Sequence, residues 1–416
     1  MASLVRFLFL AFFFLQLAIE AGLLLVHLRK AGRERGVPPT LEGHVPAKTA
    51  ERSREYTLAK GRLGLVNMAL SSAVTLIALF SGILPWLDRA LSALGLRGAS
   101  LFVGYLVVLG LAAAALGIPL SIYETFVLEA RFGFNRMTAR LWMADQLRGL
   151  LLSAAIGIPV LYAAYALMRF SGPLWWVWLF AFLTAFQLAI LWAYPVLIMP
   201  LFNRFEPLPE GPLRDRLLAL SAQAGFRNRG LFVIDASKRS AHSNALFAGL
   251  FRPRIVLFDT LVQRMSVDEA ASVLAHEIGH FRRRHVQRML AMSLLTMLGI
   301  LAALSRLLPW PPVYAAFGFA APSLHAAVAI LALAGGAFVF WLSPLASSFS
   351  RRHEYEADRY AVQLARAPGA LKSALLRLST DSLGNLHPHP WYSAWHYSHP
   401  VLVERLEAID RAAATP

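Results

Sequence analysis

The chain has 416 residues, of which 57% are hydrophobic and 15% charged. Soluble domains carry roughly 25% charged residues, so this composition excludes a disordered chain and points to a membrane protein with polar portions large enough for chemistry. The absence of cysteine excludes disulfides, thiolate catalysis and Cys-ligated zinc, and the net charge of +16 has to be read from where the charges sit.

A hydrocarbon core is spanned by about 20 apolar residues in helix. Seven stretches meet that length, at about 4–28, 63–87, 100–123, 149–169, 174–200, 288–308 and 324–346. The first is interrupted only by Arg6 and Glu20. Its apolar part is too long for a signal peptide and no small-residue cleavage site stands out, so it is read as a retained helix. The run Leu-Pro-Trp-Pro-Pro at 308–312 breaks the uncharged stretch 307–350, leaving one span in it. Nine Lys/Arg fall in 29–62, four in 131–148, fourteen in 204–288 and eight after 350, all on one side of the membrane. Only Arg6, Arg89, Arg97, Arg169 and Arg306 fall on the other. The basic side is the cytoplasmic one, which puts the N-terminus outside and the C-terminus inside. The positive charge therefore serves orientation and contact with lipid headgroups of the bilayer. No aromatic-interleaved basic motif supports a nucleic-acid partner.

The expected fold is mostly α and integral to the membrane, with seven transmembrane helices capped by a cytoplasmic domain holding a small β-sheet. Residues 1–200 form an N-terminal membrane domain, 201–287 a polar domain, 288–347 a transmembrane hairpin, and 348–416 a second polar part. Within 201–287, segments 231–236, 244–249 and 254–258 read as short strands.

Ser266-Val-Asp-Glu269 is a capping-box start for a helix that contains His276-Glu-Ile-Gly-His280. One turn apart on one helix face, His276 and His280 can reach one zinc ion, with Glu277 beside them as general base. A catalytic zinc needs a third protein ligand and an open position. Glu354, 74 residues after His280, supplies it; Asp358, one turn on, accepts an imidazole N–H from a ligand histidine. Glu356 points elsewhere. The intervening hairpin leaves and re-enters the same membrane face, so Glu354 can meet the two histidines. His399 and Arg405 suit the oxyanion of an amide under attack; the alternative is a surface histidine and an arginine paired with Glu404. His242, His285 and His353 are read as non-ligands.

These segments, together with Arg-Phe-Gly-Phe-Asn (131–135), Tyr194-Pro195 to Asn203, Pro207-Leu-Pro-Glu-Gly211, His242-Ser-Asn-Ala245, Arg254 to Thr260, and Ser393 to Pro400 followed by Glu404-Arg-Leu406, resemble the type I CAAX prenyl endopeptidases. Those are integral-membrane zinc proteases of the gluzincin type, and the likeness covers nearly the whole chain. One departure is Val401, where relatives often have a second proline. The resemblance implies zinc on His276, His280 and Glu354, Glu277 as base, His399 and Arg405 at the carbonyl or oxyanion, and Asn244 and Ala245 on a strand edge that pairs with the peptide or protein substrate. It further implies seven helices around a water-filled chamber, which Glu20 would face. The family substrate is the C-terminal C-a-a-X of prenylated proteins. With 35 Arg against five Lys, a bacterial inner-membrane enzyme is favoured over one of the endoplasmic reticulum; its targets would then be membrane or misfolded proteins. A non-proteolytic zinc-binding membrane protein and an intramembrane protease of the site-2 type are the other readings. Arg282, Arg283 and Arg284 argue against the latter by holding the motif at the interface.

Overall fold

The computed structural model describes residues 1–226, 230–242, 245–248 and 254–414. Helices α1 (Ala2–Arg33), α2 (Ala47–Phe80), α3 (Ile83–Ala93), α4 (Gly98–Tyr123), α5 (Ala139–Phe170), α6 (Trp175–Ala193) and α7 (Met199–Phe202) build the N-terminal part. The polar region follows with β1 (Phe205–Pro207), α8 (Pro212–Gln223), β2 (Leu231–Ile234), β3 (Ala245–Ala248), β4 (Arg254–Phe258), α9 (Asp259–Arg264) and α10 (Val267–Arg282). The chain then runs through α11 (His285–Leu307), α12 (Pro311–Ala316), α13 (Leu324–Ala334), α14 (Gly336–Val339) and α15 (Ser343–Ala365). It ends with α16 (Pro368–Asp381), α17 (Pro390–His396) and α18 (Leu402–Ala414).

Among the described residues six helices are long and apolar enough to cross a membrane, and a seventh span forms if the pair bent by 43° between α13 and the helices after it counts as one. This is a multi-pass membrane protein. Large apolar side chains such as Phe7, Val66, Ile77, Leu151 and Trp192 face outward from these helices, a surface suited to lipid and not to water. The bend falls at Gly335, where an added Cβ would lie 2.5 Å from the Leu331 carbonyl oxygen, so the backbone there tolerates only glycine. The helices also overrun the apolar stretches that mark them. α2 begins at Ala47, well before 63, because its first turns leave the membrane and bury Ala50, Ser53 and Tyr56 against the polar part.

The four-stranded sheet has the order β1-β2-β4-β3, with β2 and β4 parallel and the outer pairs antiparallel. Leu231 lies opposite Ile255, and Ala245 opposite Leu257. The three segments read as strands are all present; β1 is additional, too short to stand out by alternation. The helices α8, α9 and α10 cover the sheet with a core that includes Leu217, Leu220, Leu257, Leu261, Leu274 and Ile278. Each such side chain contributes about 1.5–3 kcal/mol by its burial.

At the start of α10 the Ser266 hydroxyl accepts from the Glu269 amide at 3.2 Å, and the Ser266 amide donates to Glu269 Oε2 at 2.8 Å. α10 lies directly against α15. A Cβ at Gly279 would meet Ala357 Cα at 3.0 Å and the Ala357 carbonyl oxygen at 3.1 Å, so the two backbones touch at glycine and alanine. This contact sets the depth at which α15 presents Glu354 and Asp358. Gly279→Ala gains about 1 kcal/mol of helix propensity and loses about 1–3 kcal/mol to overpacking. We therefore expect a small change in unfolding midpoint but a loss of metal affinity of about tenfold or more, since α15 must yield by a few tenths of an ångström. Metal titration of the variant checks this; unchanged affinity would refute the contact as the spacing element.

Candidate metal centre

α10 presents His276, Glu277 and His280, and α15 presents Glu354 and Asp358, from opposite sides of one cavity. His276 Nε2 lies 3.1 Å from His280 Nε2, 3.5 Å from Glu354 Oε2, and His280 Nε2 lies 3.3 Å from Glu354 Oε1. One ligand atom from each of the three residues lies within 4.8 Å of the others, the only such group among the described residues. Glu354 Oε2 is buried without a hydrogen-bond partner. Two imidazole nitrogens and an orphaned carboxylate oxygen converging in this way form a donor set suited to a divalent cation.

Each imidazole is fixed from behind. His276 Nδ1 donates to Asp358 Oδ1 at 2.8 Å, which turns its Nε2 lone pair toward the ligand cluster. Asp358 is in turn gripped by Arg405, with Nε at 2.8 Å from Oδ2 and Nη2 at 2.7 Å from Oδ1. His280 Nδ1 lies 2.9 Å from His285 Nδ1, and His285 Nε2 lies 3.1 Å from Glu356 Oε2. Glu356 thereby orders His285, and His285 orders His280. His353 stacks on His285 at 4.1 Å with an interplanar angle of 11°. Burial alone would lower the His276 pKa; the Asp358 and Glu354 carboxylates outweigh it and lift the value to about 9. Burial pushes the Glu277 carboxyl above its usual range, partly offset by the two imidazoles.

The cavity holds about 440 Å³. Its polar wall is made of His276, Glu277, Glu354, His399 and Arg405, and its apolar wall includes Leu371, Leu375, Leu378 and Leu402. His399 Nε2 stands 3.5 Å from Glu354 Oε1 and is largely exposed to the cavity. Arg405 sits deeper than an oxyanion ligand needs to: Asp358 occupies Nε and Nη2, and Nη1 lies 3.4 Å from Glu354 Oε2. Glu404 accepts from Tyr355 at 3.1 Å, so it is not the partner of Arg405. Ala245 opens β3, the edge strand of the sheet beside β4; Asn244 lies outside the described residues. Inside the membrane part a separate polar cavity of about 550 Å³ is lined by Gln16, Glu20, Asn67, Ser71, Thr75 and His396. Glu20 lines that cavity and accepts from Gln16 at 2.7 Å.

Thus the structure brings His276, Glu277, His280, Glu354, Asp358, His399 and Arg405 to one place. Sequence spacing missed Gly279, His285 and Glu356. Glu356 is off the face of Glu354 and Asp358, and only the return of α11 past α15 reveals its use. The five-residue step from His280 to His285 crosses the helix break at Arg284, whose φ of 57° turns the chain into α11.

Residues 27–204 match a family model described as the CAAX prenyl protease N-terminal, five membrane helices, and residues 207–413 match Peptidase family M48. The CAAX prenyl protease 1 homolog of Oryza sativa is 36% identical over 386 residues, covering 90% of each chain. CAAX prenyl protease 1 of Saccharomyces cerevisiae is 36% identical over 409 residues, covering 91% of this chain and 89% of its own. The crystal structure of S. mikatae Ste24p superposes with a TM-score of 0.91 at 32% identity, covering 98% of this chain and 99% of that one. With a His-His-Glu cluster, a polar intramembrane chamber and relatives of this reach, the chain belongs to peptidase family M48, among the membrane metalloendopeptidases of the CAAX prenyl protease 1 type.

Proposed function

We propose that this chain is a zinc endopeptidase in which His276, His280 and Glu354 hold the ion and Glu277 is the general base. The observation that carries the reading is the convergence of those three ligand groups, each imidazole backed by its own carboxylate route, beside an uncommitted Glu277. Zinc held there supplies a Lewis acid that polarises the scissile carbonyl and brings a water's pKa to about 7. Glu277, made more basic by burial, takes a proton from the attacking water and returns it to the leaving amine. His399, on the cavity wall 3.5 Å from Glu354, donates to the developing oxyanion. Arg405, through Nη1, adds positive charge there while holding Asp358 and Glu354 in place. The substrate adds as a strand along the free edge of β3, which Ala245 begins, so backbone pairing gives affinity with little side-chain preference.

On this reading residues 201–287 and 348–416 form one proteolytic unit, joined by the hairpin 288–347 to the membrane domain 1–200. That unit faces the cytoplasm, by the bias of Lys and Arg to its side. The name shared by the relatives brings a prenylated C-terminal C-a-a-X peptide to this chain as substrate, and the leucine-lined wall of the cavity suits its aliphatic residues. A second reading, a bacterial inner-membrane protease acting on unprenylated membrane or misfolded proteins, draws on the excess of Arg over Lys. Incubating the purified protein with a farnesylated C-a-a-X peptide and its unprenylated form, read by mass spectrometry, separates the two. Faster release of the last three residues from the prenylated form is expected; equal rates favour the second reading.

Glu277→Gln should lower turnover by about 10²–10⁴-fold with stoichiometric zinc retained, checked by single-turnover cleavage and metal analysis of the same sample. Asp358→Ala and His285→Ala should each weaken zinc about 10- to 100-fold, read by competition with a chromophoric chelator. Zinc requires neutral His276, which in the metal-free protein is protonated below about 9. Zinc affinity should therefore fall with falling pH below that value, by about tenfold per unit for one displaced proton. Calorimetry in buffers of different ionisation enthalpy would show the proton release, and pH-independent binding would count against the assignment.

A further inference from the structure

A trench distinct from both cavities above runs along α11, with Leu183 of α6 on one wall and α15 on the other, and encloses about 920 Å³. Leu183, Met292, Ile300, Leu301 and Phe349 supply apolar wall, and Arg288, Arg352 and Glu356 stand at its mouth. From Arg288 to Leu301 the helix rises about 20 Å. That exceeds half of a hydrocarbon core about 30 Å thick, so the trench is long enough to hold an acyl chain over one leaflet. At the mouth Arg288 Nη1 lies 3.2 Å from Glu356 Oε2 and Arg352 Nε lies 3.3 Å from Glu356 Oε1. Two guanidinium groups share one carboxylate, and both are more than half exposed, at 54% and 77%. The mouth therefore keeps an unbalanced positive charge near the start of α11, above a wall with almost no charge. The walls are helical, with no open strand edge to pair with a peptide.

We propose that this trench binds one anionic phospholipid, its phosphate between Arg288 and Arg352 and an acyl chain against Met292, Ile300 and Leu301. The planar guanidinium fork matches phosphate geometry, and the long apolar stems of both arginines lie along the trench rim in the manner of interfacial arginines. Glu356 also backs His285, so a phosphate that takes over the guanidinium groups leaves that carboxylate to the imidazole pair alone.

The test uses the full-length protein, delipidated in detergent and titrated with dioleoylphosphatidylglycerol, dioleoylphosphatidylcholine or inorganic phosphate under native mass spectrometry. One phosphatidylglycerol per chain should bind, with phosphatidylcholine and inorganic phosphate each weaker. Arg288→Gln with Arg352→Gln should weaken the anionic lipid about tenfold or more, the loss of one charge-assisted contact or greater, while the double Arg→Lys variant keeps most of it. Ala346→Trp, which fills the trench without touching the charges, should displace the lipid too. Metal content equal to the parent certifies that each variant is folded; if the double Gln variant fails that check, Ala346→Trp decides. Phosphatidylglycerol binding unchanged in a folded variant of either kind, equal binding of phosphatidylcholine, or displacement by inorganic phosphate at matching affinity would overturn the proposal.

Discussion

The close contact of α10 with α15 governs the rest of this structure. It brings two imidazoles, two carboxylates and a guanidinium out of water and into one buried group, an arrangement whose desolvation cost only mutual pairing can offset. Arg405 and His276 share Asp358, while Glu354 sits among His276, His280, His399 and Arg405 with one oxygen left without a hydrogen bond. A cation at that point completes the charge balance, and it does so only if the helices approach to the distance that Gly279 and Ala357 permit. The bulk of the hydrophobic core beneath α10 then serves to hold that distance: Leu274 and Ile278 are fully buried on the face away from the ligands.

The two routes of support behind the imidazoles differ. Behind His276 the carboxylate is direct and doubly held by Arg405, which makes it rigid. Behind His280 the support passes through His285 to Glu356, and Glu356 is shared with two exposed arginines at the membrane edge. One imidazole is therefore anchored in the core and the other to a pair of exposed arginines. Charge networks of this sort transmit changes between their members more than isolated pairs do.

Much of this was legible in the chain itself. Length and apolarity located the spans, because a bilayer requires long uncharged helix, and the capped helix around His276 announced two converging imidazoles by a one-turn spacing. Glu354 could be paired with them because a hairpin returns to its own face. What the sequence concealed depended on contacts between elements. Gly279 reads as a position without a role between the two histidines until α15 is placed against it. Glu356 looks solvated until α11 brings His285 alongside. Arg405 suited an oxyanion by type, and its grip on Asp358 emerged only from the packing of α18 on α15. The bend at Gly335 was hidden for a similar reason: the apolar run is continuous there, and hydropathy is blind to backbone direction.

The ligands lie on either side of the α11–α15 hairpin, and that division has a consequence for how the protein matures. During synthesis the two histidines emerge well before the carboxylate that completes their set, and α11 and α13 must both be seated in the bilayer before the third group arrives. On the proposed ligand set, a partly inserted chain offers the ion only two of its three groups. With that set, assembly of the whole hairpin precedes a complete metal site.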